Sequence, residues 1–217
     1  YKLFKEKYAQ NTIKYIEEEI TTKAHSFLSE TKEIRRGYTG IAPIPLIMFL
    51  GSCIGREHID DYYEYNKNDN TYSKLSKKNT AYPQLLVETN ISSLNHSVVE
   101  LVVVISITQK IEERDLAQFN HLEKVHISLP EPGDNIIQNK KQLKDYCDMI
   151  MNTIENIGKE FANLNTIHLL CSAQSCLPLE IGKRSIDSTR LPVLISYQYE
   201  FQSNIKYPWG IDRKSTR

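Results

Sequence analysis

VVELVVVISIT, residues 98–108, is the run that says most about the fold of this chain of 217 residues. Most of its apolar residues are β-branched and follow one another almost without interruption, whereas a strand with one solvated face alternates apolar and polar residues. The run is also too short to span a bilayer. We therefore expect a strand in the middle of a sheet that helices cover on both faces.

Helical and strand patterns alternate on both sides of this stretch. Apolar residues at three- and four-residue steps predict two long helices with the stripes Ile13, Ile16, Ile20, Ala24, Phe27, Leu28 and Leu143, Tyr146, Cys147, Ile150, Ile154, Ile157, Phe161, Leu164. Shorter helices are predicted after Pro43 and Pro45, at 112–122 and at 176–183. Strands are predicted at 58–64, 84–89, 125–129, 166–170 and 192–200, and a polar loop at 66–80. This alternation predicts an α/β fold with a largely parallel sheet.

Composition and charge narrow the classes of protein that fit. Apolar residues make up 40% of the chain and charged residues 25%, which is typical of a globular protein. The formal net charge is zero, so no overall field attracts the chain to nucleic acid or an acidic membrane, and an anionic ligand must be held locally. No membrane anchor or secretion signal is recognised, and the four cysteines lack CxxC spacing. We expect a cytoplasmic protein.

One pattern occurs twice. Ala42, Leu46, Leu50 and Gly51 have the same spacings as Ala173, Leu177, Ile181 and Gly182, and each set precedes a Tyr-x-Tyr motif, at 63–65 and 197–199, and then Tyr72 or Tyr207. Chance placement of leucine and tyrosine in helix–strand segments is the alternative. The ordered set predicts a duplication, with halves at 1–97 and 98–217 related by a pseudo-two-fold axis. The first half has no clear opening strand comparable to 98–107.

The duplication places a loop before a helix in each half, at residues 37–42 and 172–175. Unpaired N–H groups and the positive end of the helix dipole at such a point hold an anion without any net positive charge. Two such loops facing one cleft suit a ligand with two or more phosphates. The ligand contacts predicted in these loops are Tyr38, Thr39, Gly40, Ala42, Ser172, Ala173, Gln174 and Ser175.

Polar residues at the end of the central strand are further candidates. Ser106 and Thr108 lie at the strand end where open α/β sheets bind ligands, and their hydroxyls can donate to phosphate; ordinary strand polarity is the alternative. Gln109 and Lys110 extend the same loop and would add a base contact and a positive charge. Arg36, which precedes the first loop, is a candidate for bidentate phosphate binding.

The tyrosines have two interpretations. Tyr38, on a predicted loop, is a candidate to stack on a nucleobase. Tyr63 and Tyr65 share one face of a strand, since side chains alternate there, and we expect them to pack beneath a helix.

Catalytic and metal-binding motifs are not recognised. The six histidines form no HExxH arrangement, and no GxSxG or GxxxxGK[ST] motif occurs. Cys171, Cys176 and His168 are close in sequence but lack the paired spacing of a zinc site. The prediction is therefore a binding domain with no catalytic residue, no metal and no cofactor.

The chain resembles the SAVED family, the cyclic-oligonucleotide sensor of bacterial CBASS antiphage systems. In the second half the resemblance rests on ISIT at 105–108, IHLL at 167–170, the run from Ala173 through Leu179 and Ile181 to Gly182, and YQYE at 197–200. In the first half it rests on YTGIAPIP at 38–45, Gly51 and YEY at 63–65.

The resemblance implies two fused CARF-like subunits, each a Rossmann-type half-domain with a mainly parallel sheet. It also implies that a cyclic di- or trinucleotide from a partner nucleotidyltransferase is the ligand, and that binding causes self-association and activates a fused effector. Such effectors are usually N-terminal and include HNH-type DNA endonucleases, so DNA would be contacted only through that domain. A ring nuclease on the same fold and a protein-interaction domain without a ligand are the open alternatives.

Overall fold

The computed structural model describes residues 9–66, 69–186 and 191–212. Its α-helices are α1 (Ala9–Glu30), α2 (Ile44–Ile54), α3 (Lys140–Glu160) and α4 (Cys176–Ser185). Its strands are β1 (Gly37–Thr39), β2 (Asp61–Asn66), β3 (Thr71–Lys74), β4 (Leu86–Val87), β5 (Glu100–Ser106), β6 (Glu123–Ser128), β7 (Thr166–Ser172), β8 (Val193–Gln198) and β9 (Trp209–Asp212). Two 3-10 helices cover Ile91–Ser93 and Glu113–Phe119.

The larger sheet has six strands in the order β4-β6-β5-β7-β8-β9. Its three inner pairings, β6 with β5, β5 with β7 and β7 with β8, are parallel, and the edge strands β4 and β9 are antiparallel. Every residue from Leu101 to Ile105 is fully buried. The prediction of a central strand covered on both faces is therefore confirmed for β5.

Helix α3 covers one face of this sheet. Its Asn139 cap accepts a hydrogen bond from the Gln142 N–H at 2.8 Å, which satisfies one of the amides that a helix start leaves unpaired. The predicted apolar stripe is buried at Leu143, Tyr146, Cys147, Ile150, Ile154 and Ile157, and continues beyond the helix with Phe161 and Leu164. Of the stripe predicted for α1, the side chain of Ile13 lies outside the described residues.

Three local predictions were wrong. The segment predicted as a polar loop contains β3, whose four residues are all exposed, so an edge strand forms there without any apolar alternation. Residues 112–122 contain a 3-10 helix at Glu113–Phe119 instead of an α-helix. The loop predicted at 37–42 begins with the strand β1. Strand β9 was not predicted.

The duplicated pattern corresponds to a duplicated structure. The unit β1-α2-β2-β3 forms a three-stranded sheet in which β1 and β2 are parallel and β3 is antiparallel, and β7-α4-β8-β9 has the same pairings. Even the tyrosine pairs repeat, because Tyr65 contacts Tyr72 with ring centroids 5.3 Å apart and Tyr199 contacts Tyr207 at 5.5 Å.

The boundary at residues 97 and 98 stays a prediction. Strand β4 precedes it, yet β4 pairs with β6 in the larger sheet. In the described part of the chain, the three-stranded sheet has no strand that corresponds to β5.

The two units β1-α2-β2-β3 and β7-α4-β8-β9 are called the two copies below. Their helices α2 and α4 meet at equivalent glycines. A Cβ atom on Gly182 would overlap the Met48 carbonyl oxygen, and one on Gly51 would overlap that of Leu179. The contact is reciprocal, as expected around a pseudo-two-fold axis. It joins the two sheets through helix backbones in direct contact. Across the described residues, no helix has the length and apolar character needed to cross a membrane.

Candidate functional site

A cleft of about 270 Å³ lies between the two copies, where the loops that follow β1 and β7 face each other. Its lining residues are Gly40, Ile41, Ala42, Ile44, Ile47, Glu64, Tyr65, Thr108, Asp134, Asn135, Ala173, Gln174 and Ser175. The two helix-start loops predicted from the repeat are thus brought together in one place.

Thr108 is held in the cleft by Ser172. The two hydroxyls are 2.9 Å apart, and the Thr108 N–H donates to the Ser172 carbonyl at 3.0 Å. The Ser172 hydroxyl also accepts the Gln109 N–H at 3.2 Å. Ser172 therefore acts as the support that fixes the β5 loop against the β7 loop.

Gln174 fixes the opposite wall. Its side-chain oxygen accepts the Ile137 N–H at 2.6 Å and its amide nitrogen donates to the Ile137 carbonyl at 3.1 Å. The wall reaches Asn135, which has a positive φ of 53° and donates to the Asn66 side chain at 3.1 Å. This arrangement places Asn135 and the exposed Asp134 on the rim of the cleft.

The N-terminus of α4 is occupied by the chain's own Glu64. One carboxylate oxygen accepts the Cys176 N–H at 2.6 Å, and the other accepts the Ser175 N–H at 3.2 Å. The Ser175 hydroxyl donates to the same carboxylate at 3.1 Å. Burial raises the pKa of the Glu64 carboxyl, and the hydrogen bonds from Cys176 and Ser175 oppose that shift. The Ser175 amide, which was predicted to bind a phosphate, therefore already donates a hydrogen bond to Glu64.

The N-terminus of α2 is capped in the equivalent way. The Ile44 N–H donates to the side-chain oxygen of Gln198 at 3.0 Å. Gln198 is the middle residue of the second Tyr-x-Tyr motif, as Glu64 is of the first. Each copy thus caps the helix of the other copy from the same position of the repeat.

The fold has counterparts among known proteins. The family described as SMODS-associated and fused to various effectors sensor domain, or SAVED, matches residues 20–212. The chain belongs to the SAVED family. Comparison with curated proteins found no match.

Solved SAVED structures share the fold of this chain. One is the Cap4 SAVED/CARF-domain containing receptor of Acinetobacter baumannii with the cyclic trinucleotide 3'3'3'-cAAA, at a TM-score of 0.64, 12% identity and coverage of 96% of this chain and 44% of that chain. The same receptor with 2'3'3'-cAAA has a TM-score of 0.60 and 13% identity, and the match covers 96% of this chain and 43% of that chain. The Cap4 SAVED/CARF-domain containing receptor of Moraxella osloensis has a TM-score of 0.55 and 14% identity, and the match covers 88% of this chain and 40% of that chain. This SAVED chain spans less than half the length of these receptors.

The SAVED cleft brings together part of the predicted set. Gly40, Ala42, Thr108, Ala173, Gln174 and Ser175 line it. Ser106 and Ser172 lie behind the lining, where the buried Ser106 hydroxyl accepts the Ile111 N–H at 3.1 Å. Gln109 and Lys110 are exposed beside Thr108 and do not line the cleft.

Arg36 does not reach the cleft. Its side chain is only 6% exposed, and its guanidinium donates to Glu57 at 2.7 Å, to the Thr31 hydroxyl at 2.9 Å and to the Leu28 carbonyl at 3.0 Å. These contacts tie the end of α1 to the start of β1. Arg36 thus has a structural role in the described fold.

Tyr38 lies in a strand, not on a loop. It is buried against Tyr62, with ring centroids 6.3 Å apart, and burial raises the pKa of its phenol. Tyr38 and the exposed Thr39 line an adjoining apolar groove of about 560 Å³ between α1, β1 and α2, which shares Gly40, Ala42 and Ile47 with the cleft. Stacking of Tyr38 on a base would require this ring to leave its packed position.

Sequence reasoning missed Glu64, Tyr65, Asp134 and Asn135. The Tyr-x-Tyr repeat was recognised by its tyrosines, although strand alternation turns the middle residue to the opposite face, toward the helix start. Asp134 and Asn135 follow a Pro-Gly turn that indicated only the end of a strand. The informative pattern for Glu64 was its equivalence to Gln198.

Among the residues that the structure describes, no group of three or more histidine, cysteine, aspartate or glutamate side chains could hold a metal ion. His168 instead lies between Tyr197 and Glu100, with contacts of 2.9 and 3.0 Å to its two ring nitrogens. Cys171 and Cys176 are buried free thiols whose pKa is raised by burial.

Proposed function

We propose that this SAVED domain is a cytoplasmic sensor that binds a cyclic di- or trinucleotide in the cleft between its two copies. The observation that carries the proposal is the convergence of two equivalent loops, from residue 40 after β1 and from residue 173 after β7, on one cleft. Support also comes from the Acinetobacter baumannii receptor of the same fold, which was solved with cyclic trinucleotides. Ligand sites at the carboxyl ends of strands are general in α/β sheets.

The neighbouring polar groups suit a ligand larger than the cleft. Thr108 presents a hydroxyl inside it, and the exposed Gln109 and Lys110 extend from the same loop. Lys110 would bring a positive charge to a phosphate outside the cleft. In this placement the sugar-phosphate ring of the ligand stays near solvent, and only part of the ligand enters the cleft.

We further propose that binding promotes self-association and activates a fused effector such as an HNH-type DNA endonuclease. The family description, fused to various effectors, is in keeping with this proposal. A sensor transmits only when its ligand binds two states with different affinity. A ligand that contacts both loops of the cleft would favour the state in which the two loops face each other.

Calorimetry against a panel of cyclic di- and trinucleotides, with analytical ultracentrifugation of each complex, tests this function. We expect one or a few members to bind, to be recovered intact by chromatography and to increase the sedimentation coefficient. Cleavage of the ligand would replace the proposal with a ring nuclease. Absence of binding across the panel would replace it with a protein-interaction domain.

Thr108→Leu tests whether the bound ligand occupies this cleft. The larger apolar side chain fills part of a cleft of about 270 Å³ and removes a hydroxyl, so we expect at least about a hundredfold loss of affinity with the fold retained. Thr166→Leu is the matched control, because Thr166 lies at the other end of β7, about 20 Å along the strand from Ser172. If Thr108→Leu and Thr166→Leu bind the ligand with equal affinity, the ligand does not occupy this cleft.

A further inference from the structure

Glu64 determines what can enter the deep end of the cleft. A helix N-terminus attracts anions because its amides are unpaired, but at α4 the Ser175 and Cys176 amides both donate to Glu64. Glu64 is only 7% exposed, so its carboxylate is built into the fold. A phosphate reaching these amides would have to expel a buried, hydrogen-bonded carboxylate.

The charge of this cap is particular to one copy. At the equivalent position of the repeat, Gln198 caps α2 through the Ile44 amide with a neutral side chain. A glutamine is therefore sufficient to cap a helix in this fold, and the negative charge of Glu64 is not needed for capping itself. The cleft is consequently acidic on the side of α4.

Other lining residues strengthen this acidity. Asp134 lies on the rim, and the lining contains no lysine or arginine among the described residues. The Asp134 carboxylate makes no hydrogen bond or ion pair with the described part of the chain, so its oxygens are available to a donor. Like charges repel more strongly in a partly enclosed cleft than in water.

The volume limits how much of a ligand enters. The cleft of about 270 Å³ is below the roughly 300–1,000 Å³ of pockets that enclose a whole drug-sized ligand. A single nucleobase is the part of a cyclic oligonucleotide that carries no charge and has N–H donors on its edge. Carboxylates accept hydrogen bonds from such base amino groups.

On the basis of the proposed function, we propose that Glu64 fills the anion site at α4, so that the cleft excludes phosphate and takes a nucleobase, whose donor edge faces Asp134 on the rim. The ligand is then oriented with a base inward and its phosphates toward Lys110 and solvent.

Titration of the ¹⁵N-labelled chain with inorganic phosphate tests the first part without any cyclic nucleotide. We expect the Ser175 and Cys176 amide signals to stay unchanged in the wild type and to shift saturably in Glu64→Ala, where the helix start is open. Gln198→Ala is the matched control and should leave these two signals unchanged. If Glu64→Ala does not fold, Glu64→Ser replaces it, with the same saturable shift expected because its side chain is also too short to cap the helix start.

Two results would overturn the exclusion of phosphate by Glu64. One is a saturable shift of the Ser175 and Cys176 signals in the wild type, which would show that phosphate displaces the carboxylate. The other is the lack of any shift in the folded Glu64 variant, which would show that Glu64 is not what excludes phosphate. Both hold whether or not a cyclic nucleotide binds.

Asp134→Asn tests the base contact with the member of the panel that binds. Loss of a charged acceptor should weaken affinity about tenfold, whereas Asp115→Asn, in the 3-10 helix outside the cleft, should not change it. Unchanged affinity in Asp134→Asn would refute base reading by this carboxylate. If no panel member binds the wild type, the proposed function and this base contact fail together. The phosphate titration still tests whether Glu64 excludes phosphate from the start of α4.

Discussion

Asp61 is surrounded by three cationic side chains. Its side chain is 6% exposed and contacts Arg35 at 2.8 Å, Lys74 at 2.9 Å and Lys140 at 3.2 Å. The hydrogen bond from Arg35, with those from the two lysines, holds the pKa of Asp61 well below its ordinary value of 3.8. Arg35, the neighbour of the phosphate candidate Arg36, is therefore paired within the chain.

Asp61→Asn should destabilise the fold in a pH-dependent way. A lowered pKa in the folded state means that the carboxylate stabilises the fold above pH 3.8, and that this contribution is lost as the pH falls below that value. We expect urea denaturation to show a larger loss of unfolding free energy at pH 7 than at pH 3. Glu19→Gln, which breaks the exposed pair with Lys23, should have little effect at either pH. An Asp61 effect that is equal at both pH values would contradict this assignment.

At the scale of elements, the crossing of α2 and α4 determines how the two copies meet. Gly51 and Gly182 let the helix backbones touch, because neither carries a side chain where the partner's carbonyl oxygen lies. This close approach brings both helix starts within reach of the opposite copy's cap. The reciprocal contacts of Glu64 and Gln198 therefore depend on these glycines.

Gly182→Ala should destabilise the protein by at least about 2 kcal/mol, because the added methyl overlaps the backbone of Met48, which cannot rotate away. Gly133→Ala is the matched control, since its Cβ would meet only the Ile136 side chain at 3.9 Å. We expect the control to change stability by about 0.5 kcal/mol or less. Equal chemical-denaturation midpoints for the two variants would rule out the close crossing.

In the whole molecule, one hydrophobic core contains side chains of both sheets, such as Tyr62 of the smaller and Leu101 of the larger, and a second cluster lies beside it. Phe49 of α2 packs with Trp209 and Ile211 of the edge strand β9. Trp209 is the only tryptophan of the chain and is 7% exposed, so its fluorescence reports on the contact between the copies. The core should therefore unfold as one unit.

We expect Trp209 fluorescence and far-UV circular dichroism to give the same unfolding midpoint in guanidinium chloride. Phe49→Ala should lower the free energy of unfolding by about 3–5 kcal/mol and move both transitions together, because its cavity lies where the copies meet. Tyr72→Ala, at an exposed position of β3, should leave the midpoints close to those of the wild type. Separate midpoints in the wild type would show that the copies unfold independently.

The elements that could be predicted were those whose pattern is local. The apolar run of β5, the stripe of α3 and the prolines that begin α2 are each contained within one segment, and burial in the core selects such patterns. Strand β3 could not be predicted in this way, because it lies exposed on an edge and is held by backbone pairing with β2.

The α/β class, the central strand and the duplication could all be predicted without a structure, because apolar periodicity and equal spacings are properties of the chain read in order. The sequence also placed six of the cleft residues in advance. The groups that pair with the amides of the helix starts and with the arginines could be identified only from the three-dimensional fold. Glu64 reaches Cys176 and Gln198 reaches Ile44 across more than 100 residues, and such contacts depend on how two helices cross, which no local pattern encodes.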